Sequence, residues 1–220
     1  MDPKVTTGEA LVQLADELRV DLLFVGSYGR KGAKSGVGST ATLALRDSAC
    51  SACLVRCEPN ARPRDSPSTW CVAVDGGKSG MMAFAAVLKE HAVPGRDKIH
   101  VLCADFEQSS AKALEPYRQV LEQDGRFQHE CCFAAMPNPE LDNPGSVPEE
   151  LLTRAERAGA DFLVLGISGS TKLGSVCQDI LALRSKTSVL MHKNDQEAAM
   201  KRSASIHHSK QQAKIITSLG

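Results

Sequence analysis

The sequence has few aromatic residues and no net charge, and each shortage narrows the class of protein. Aromatic residues make up 4% of the 220 residues, so we expect a core packed mainly with Ala, Val and Leu. The formal net charge is zero, so no long-range field attracts nucleic acid or an anionic membrane. The sequence also lacks an apolar run of about 18 residues and an apolar signal core. We therefore expect a cytoplasmic protein with no nucleic-acid or membrane partner.

The eight cysteines lack the pattern of a complete metal site. Cys50 and Cys53 have the C-x2-C spacing of half a zinc site, but no second such pair and no nearby histidine pair completes four ligands. Most of the others lie in apolar stretches such as IHVLCAD and HECCFAA. We therefore expect buried, reduced thiols that act as small apolar residues, with no disulfides and no resident metal.

Two familiar phosphate-binding motifs are also missing. Gly77-Lys78-Ser79 matches the end of a G-x4-G-K-[ST] loop, but Val72 stands where the first glycine belongs. No G-x-G-x-x-G follows a predicted strand, which excludes the dinucleotide fingerprint. The segment DGGKSG at 75–80 resembles the SGGxDS loop of adenylating enzymes that release pyrophosphate, but it lacks the acidic residue of that loop. A PP-loop-type adenylating enzyme therefore stays only as a minor alternative.

No set of residues predicts catalysis. His91, His100 and His129 are not paired with a serine or cysteine at a known catalytic spacing. Glu149 and Glu150 begin a predicted helix, where acidic residues interact favourably with the helix dipole. We therefore expect no enzymatic activity beyond slow, incidental ATP hydrolysis.

One unit is repeated along the chain. DLLFVGSYG at 21–29 matches DFLVLGISG at 161–169 at the aspartate, at alternate apolar positions and at both glycines. GSTATLALR then matches GSVCQDILALR, and ACLVR matches SVLMH, in the same order. The number of residues that separates equivalent positions of the two copies falls from 140 at the first glycines to 136 at the last. The second copy has therefore lost four residues, between Gly169 and Gly174.

The repeat predicts an α/β protein built from one complete unit and one half unit. Continuous apolar runs such as WCVAVD are typical of strands buried on both faces of a parallel sheet. Residues 70–192 contain five strands alternating with helices, which predicts a five-stranded, parallel, doubly wound, Rossmann-like sheet. Residues 1–57 match the C-terminal half of the same unit, 58–69 form a proline-containing linker, and 193–220 form a basic tail expected to be disordered.

The half unit has two open interpretations, because two strands do not bury a core by themselves. The favoured one is that the chain is a fragment of a longer tandem protein, or a shortened gene product, with a truncated first domain. The alternative is an accessory edge on the complete unit. In that case the strand at 52–57 pairs with the strand at 187–192.

Glycines, serines and one aspartate lie where a parallel sheet binds its ligands. In open α/β sheets, ligands bind beyond the carboxyl ends of the strands, and both G-x2-G turns fall there. Gly38 and Gly174 come just before a helix, with Ser39 and Ser175 in its first turn, where N–H groups favour anionic oxygen. Asp75 ends the first strand of the complete unit, where a carboxylate accepts hydrogen bonds from a ribose hydroxyl or an adenine amino group. Ordinary loop glycines with serine as the N-cap remain the alternative.

This pattern resembles that of the universal stress proteins. The shared features are G-x2-G-x9-G-[S/T] after a buried strand and an aspartate at the end of the first strand, here in CVAVDGG. The resemblance extends to His192 and is of the tandem type, with a half domain followed by a complete one. It implies a five-stranded α/β sandwich like that of the adenine nucleotide α hydrolases, and a regulatory role in the stress response. It also implies homodimers or tandem pseudo-dimers formed through the last strands, while protein partners are unknown.

The resemblance also implies a set of nucleotide-binding positions for ATP or AMP, with Mg²⁺ only as the companion of the nucleotide. Asp75 takes the place of the acid that contacts adenosine. The ribose and phosphate positions are Gly166, Gly169, Gly174 and Ser175 in the complete unit, and Gly26, Gly29, Gly38 and Ser39 in the half unit.

Two departures from the family pattern leave the ligand open. The second copy has four residues between Gly169 and Gly174 where the family has nine, so its helix begins too near the strand to wrap a triphosphate. The first copy has eight residues between Gly29 and Gly38, but it lacks the strand that carries the acid. We therefore weigh a regulatory nucleotide-binding module against a scaffold of the same fold that dimerises without nucleotide.

Overall fold

The computed structural model describes residues 5–27, 37–56, 66–103, 110–127, 131–135, 146–168 and 173–193. Within these ranges the helices are α1 (Thr7–Glu17), α2 (Ser39–Asp47), α3 (Lys78–Ala86), α4 (Ser110–Asp124), α5 (Val147–Arg157) and α6 (Ser175–Ala182). A π-helical turn, Val87–His91, continues α3. The strands are β1 (Leu22–Gly26), β2 (Ser51–Val55), β3 (Thr69–Val74), β4 (Lys98–Cys103), β5 (Cys131–Ala135), β6 (Phe162–Ile167) and β7 (Ser188–Lys193). None of the described helices is both long and apolar enough to cross a bilayer.

All seven strands form one sheet in the order β1-β2-β7-β6-β3-β4-β5. Neighbouring strands are parallel except for β2 and β7, which are antiparallel. The complete unit occupies β7-β6-β3-β4-β5. Its chain starts at β3, runs outward through β4 and β5, and returns to the other side of β3 through β6 and β7. This order is that of a doubly wound sheet, so the predicted fold class is confirmed.

Several predicted boundaries shift by one residue or more. The strand of the complete unit already begins at Thr69, which was assigned to the linker. Lys193 was assigned to the tail but is the last residue of β7. Helix α4 runs without a break through Pro116, although that proline suggested an interruption. Residue 57 of the half unit, residues 58–65 of the linker and residues 194–220 of the tail lie outside the described residues.

The pairing of β2 with β7 joins the half unit to the complete one. Cys53 pairs with Leu190, and Leu54 pairs with Val189. In the repeat, Cys53 corresponds to Val189 and Leu54 corresponds to Leu190. Cys53 therefore pairs with the residue equivalent to Leu54, and Leu54 pairs with the residue equivalent to Cys53. Such an exchange is what a local twofold axis produces. The pairing of these two strands that the accessory-edge interpretation requires is therefore present, and its direction is antiparallel.

Two cations cross this junction to the helix of the other unit. The Arg56 guanidinium Nη2 donates to the carbonyl oxygens of Ile180 and Leu181 at the end of α6, at 3.1 and 3.2 Å. Lys193 Nζ donates to the carbonyl oxygens of Ser48 and Arg46 at the end of α2, at 2.5 and 3.3 Å. Because the last carbonyls of a helix have no partners within it, each cation satisfies groups that would otherwise be unpaired.

The sheet is covered on both faces, which explains its nearly continuous apolar strands. Val72 and Val164 face a core shared with α3 and α4, while Cys71 and Leu163 face a core shared with α2, α5 and α6. Burial raises the pKa of Cys71 to about 12, so its thiol stays neutral and acts as a small apolar group.

The expectation of buried thiols is confirmed at four of the described cysteines but is wrong for Cys132. The buried ones are Cys50, Cys53, Cys71 and Cys103. Cys132 is exposed because it lies on β5, the strand at the edge of the sheet.

The only tryptophan of the chain lies in a polar and aromatic cluster at the amino end of β3. The ring of Trp70 stacks on Phe162 and on His91, with centroids 4.4 and 5.8 Å away. Its indole N–H donates to the Asp97 carboxylate at 3.4 Å. Asp97 is almost fully buried and also accepts the backbone N–H of Ser68. His91 is thus held at the opposite end of β3 from Asp75.

Trp70 fluorescence is expected to report the protonation of His91. Burial lowers the pKa of His91 from its ordinary value of 6.5, against the opposing effect of Glu90. The folded state therefore favours the neutral ring, and this preference contributes to the free energy of unfolding. The contribution is complete above pH 6.5 and is lost as the pH falls through the lower pKa of the folded state. A fluorescence titration should show a transition with its midpoint below 6.5, and the His91→Gln variant should lack it. A midpoint at or above 6.5 would contradict the buried, stacked position of the ring.

Candidate functional site

The two strands at the centre of the complete unit bring candidate residues to one end of the sheet. β3 and β6 are adjacent and parallel, and Ala73 pairs with Leu165. In the same register Asp75, the residue after β3, lies level with Ile167, the last residue of β6, and Gly166 lies one residue before that level. The chain leaves these strands toward opposite sides of the sheet, and this switch point is where doubly wound sheets bind ligands.

Asp75 is exposed and shapes the turn that leads into α3. Its Oδ1 accepts the backbone N–H of Gly77 at 2.8 Å, and Gly76 between them has a φ of +76°. This local bond is an Asx turn, and the positive φ explains a glycine at position 76. Within the part of the chain that the structure describes, Oδ2 of Asp75 accepts no hydrogen bond. One carboxylate oxygen thus holds the turn and the other is available to a ligand.

Tyr117 of α4 lies beneath this turn. Its side chain is fully buried and packs edge-on against Phe84, with ring centroids 5.6 Å apart. A Cβ on Gly80 would come within 3.1 Å of the phenolic oxygen, so the glycine leaves room for the hydroxyl. Burial, reinforced by the charge of Asp75, raises the pKa of Tyr117 to about 12. Tyr117 was not among the predicted site residues, although its place among apolar residues at helical spacing in α4 indicates burial.

Gly166 has a packing role in the described structure. A Cβ at this position would overlap the carbonyl carbon and oxygen of Ser79 and would lie 2.8 Å from the amide nitrogen of Gly80. The absence of a side chain therefore lets the first turn of α3 rest directly on β6. This close approach accounts for the glycine by itself.

Gly174 is the N-cap of α6, and Ser175 is the first helical residue. Gly174 has φ −59° and ψ 158°, and no side chain caps the helix. Among the described residues, a Cβ on Gly174 would meet no heavy atom within 4 Å. The alternative with Ser175 as the N-cap is wrong, because the chain already enters the helix at that residue. The first N–H groups of α6 therefore lack a side-chain acceptor from the N-cap, which suits an anionic oxygen.

The half unit repeats this arrangement at α2. Gly38 is the N-cap, again without a side-chain hydrogen bond, and Ser39 is the first helical residue. The amide of Gly38 donates to the carbonyl oxygen of Ser27, just after Gly26 ends β1, at 3.4 Å. Ser39 as the N-cap is therefore also wrong.

The structure separates the two sets of candidate residues. β2, β7 and β6 lie between β1 and β3, and β1 runs antiparallel to β3. Gly26 therefore lies at the opposite end of the sheet from Asp75, so the glycines of the half unit do not join the aspartate in one site. Gly29 and Gly169 lie outside the described residues.

Several solved structures share this fold. No known family model and no curated protein matches the sequence. A putative universal stress protein from Pseudomonas aeruginosa UCBPP-PA14 is 16% identical, with a TM-score of 0.62 over 91% of this chain and 73% of that one. A functionally unknown protein from Pseudomonas aeruginosa PAO1 has the same identity and coverage and a TM-score of 0.64. A universal stress protein from Archaeoglobus fulgidus DSM 4304 is 17% identical, with a TM-score of 0.64 over 84% of this chain and 66% of that one.

These likenesses define the class of fold. The chain has the α/β fold of the universal stress proteins, and the resemblance predicted from the glycine pattern is confirmed at the level of the fold. At identities of 16 and 17%, function has to be argued from the residues of the site itself.

Proposed function

We propose that this chain is a regulatory protein of the universal-stress type whose complete unit binds AMP or a similar adenine nucleotide. The observation that carries the proposal is the pairing of β3 with β6. It puts the available oxygen of Asp75 at the same end of the sheet as the chain that leads from Gly166 to α6. The carboxylate is suited to the nucleoside, and the first turn of α6 is suited to a phosphate.

The short connection between β6 and α6 favours a monophosphate over ATP. Four residues separate Gly169 from Gly174, which leaves little chain to surround a β- and γ-phosphate. A single phosphate needs only the N–H groups at the start of the helix. A Mg²⁺ ion would enter this proposal only with a longer phosphate chain.

The proposed role is binding rather than catalysis. His91 is stacked on Trp70 at the other end of β3, and His100 pairs with Cys71 in the middle of the sheet. Neither imidazole lies at the end of the sheet that carries Asp75. Binding there would regulate the protein through the turn that Asp75 holds at the start of α3.

The Asp75→Asn variant is expected to lose AMP binding while keeping the fold. The asparagine carbonyl can still accept the N–H of Gly77, but its amide nitrogen replaces the oxygen offered to the nucleoside. Calorimetric titration of the full chain with AMP should show saturable binding, weakened at least about tenfold by the substitution. Saturating AMP at about 100 times its dissociation constant should add about 2.7 kcal/mol to the unfolding free energy of the unsubstituted chain.

Glu122→Gln is the matched control, because it removes one negative charge from an exposed position on α4. It should leave the affinity for AMP unchanged. Absence of saturable AMP binding below about 1 mM would end the nucleotide proposal for this unit. An equal loss in both variants would show that net charge, and not the position of Asp75, determines the affinity.

A second candidate function is favoured by the junction of β2 and β7. Equivalent strands pair there about a local twofold axis, and Arg56 and Lys193 reach across it. We propose that the half unit and the complete unit form a pseudo-dimer within one chain, joined at this junction. A scaffold of this kind would act through its surfaces, and it would remain the better description if AMP does not bind.

A further inference from the structure

A histidine on β4 lies between two cysteines on the neighbouring strands. His100 pairs with Cys132 of β5 on one side and with Cys71 of β3 on the other. Residues that pair in a parallel sheet carry their side chains on the same face, and their strands lie about 4.8 Å apart. The three side chains therefore form one row across the sheet, with the imidazole between the two thiols.

The row runs from the core to the surface. Cys71 is fully buried, His100 is half-buried and Cys132 is exposed. Two residues further along the same strands, Leu102 and Ala134 pack against the core shared with α2, α5 and α6. The Cys132 thiol is therefore accessible to a small molecule from solvent, while the imidazole beside it is partly shielded from water.

Lys98 adds a positive charge to this end of the row. It is exposed and comes two residues before His100 on β4, so both side chains lie on the same face of the sheet. Burial lowers the pKa of His100 from its ordinary value of 6.5, and the charge of Lys98 lowers it further. The imidazole is therefore neutral at neutral pH and can accept a proton. A thiol close to a histidine and a lysine is in the kind of environment that favours a reactive thiolate.

The other cysteines of the described ranges are less exposed than Cys132. Cys131 precedes it on β5 but faces the opposite side of the sheet, where it packs against the core shared with α3 and α4. Cys177 on α6 is half-buried, and burial raises the pKa of its thiol. The remaining four are buried, namely Cys50, Cys53, Cys71 and Cys103. A small oxidant therefore reaches Cys132 most easily.

We propose that Cys132 is a site of oxidation by hydroperoxides, with His100 as its base. An imidazole nitrogen of His100 takes the thiol proton, and the thiolate sulfur attacks the terminal oxygen of the peroxide. An S–O bond forms and the O–O bond breaks, so the sulfur loses two electrons and becomes a sulfenic acid. The other peroxide oxygen is reduced and leaves with the proton from His100, as water or as an alcohol.

Neither neighbouring thiol can convert this sulfenic acid into a disulfide within the sheet. Cys71 lies two strands away, so its Cα atom is roughly 9.6 Å from that of Cys132, whereas a disulfide needs about 4.4 to 6.8 Å. Cys131 points to the opposite face of an extended strand. The sulfenic acid therefore remains open to reagents from solution. The proposal does not depend on nucleotide binding and goes beyond the proposed function.

Trapping of the sulfenic acid tests the proposal. The reduced full chain is treated with hydrogen peroxide at neutral pH in the presence of dimedone, and peptide mass spectrometry gives the labelling rate of each cysteine. Cys132 should be labelled at least about tenfold faster than Cys131 and Cys177. Cys132→Ser should abolish this fast labelling, and Cys131→Ser, the matched control on the same strand, should retain it. Similar rates at the three cysteines would overturn the proposal.

The His100→Gln variant separates the action of a base from exposure alone. At neutral pH it should slow the labelling of Cys132 at least about fivefold. At about pH 10, above the ordinary thiol pKa of about 8.5, the thiol ionises without a base, and the variant should react as fast as the unsubstituted chain. An unchanged rate at neutral pH would show that exposure alone determines the reactivity. An equal loss at both pH values would show a structural effect, and either result overturns the proposal.

Labelling of the unfolded chain provides a test without any substitution. In concentrated urea the three side chains no longer form a row, so Cys132 should lose its advantage over Cys131 and Cys177. An advantage that persists in urea would come from the local sequence and would contradict the role of the folded sheet. Thermal unfolding of each variant verifies that the fold is retained under the labelling conditions.

Discussion

The Gly166→Ala variant is expected to lose roughly 3 kcal/mol of unfolding free energy, because the core beneath α3 has no room for a methyl group at that position. The new Cβ would overlap the backbone carbonyl of Ser79, and backbone in the first turn of a helix cannot rotate away as a side chain can. This overlap is removed only if α3 moves away from β6, and that movement would loosen the packing of Phe84 and Tyr117. Urea denaturation of the full chain measures the loss.

Gly174→Ala is the control for this substitution. A Cβ at position 174 meets no atom of the described residues within 4 Å, and φ there is −59°, so we expect an alanine to be tolerated. Its expected cost is about 1 kcal/mol or less and arises from the poorer N-cap. Equal losses in the two variants would contradict the close approach of α3 to β6.

The Lys193→Met variant is expected to lose about 3 kcal/mol, because it leaves buried acceptors at the end of α2 without their donor. Lys193 is 6% exposed, and its ammonium group donates to the Ser48 and Arg46 carbonyls and to the Ser48 hydroxyl. Methionine fills much of the volume of the lysine stem but donates no hydrogen bond. Lys112→Met, at an exposed position on α4, should change the stability by less than about 0.5 kcal/mol.

The loss at Lys193 should concentrate in the half unit. Hydrogen exchange should accelerate in β1 and β2, whose connection to the rest of the sheet passes through β7. Exchange in β3 and β4 should change less, since both strands lie beyond β6. Uniform acceleration through the whole sheet would show that the two units unfold as one and would contradict a weaker half unit.

The parts of the fold that were predicted correctly depend on local sequence patterns. The apolar runs of β3 and β6 are bounded by turn residues, and the repeat fixes the order of strands and helices. The position of Asp75 at the carboxyl end of β3 follows from the run WCVAVD alone. Because a parallel doubly wound sheet brings such ends together, the proximity of Asp75 to the turn after β6 could also be predicted.

The remaining features depend on contacts between distant parts of the chain. Lys193 is followed by a polar tail, so its sequence context indicates a solvated lysine, and its burial depends on α2. Gly166 has the pattern of a ligand-binding glycine, and only the path of α3 shows its packing role. The exposure of Phe24 could not be predicted from the sequence either, because DLLFVG has the same apolar character as the buried strand DFLVLG.

The pairing of β2 with β7 also sets the order in which the chain can be completed during synthesis. Ser51 and Lys193 are joined by a hydrogen bond, yet they are 142 residues apart. At about 5 to 20 residues per second, a ribosome needs roughly 7 to 30 seconds to make the intervening chain. During that interval β2 has β1 but not β7 as a neighbour in the sheet, and a pair of strands is marginal in water by itself. β2 therefore gains its second neighbouring strand only when the complete unit has been made.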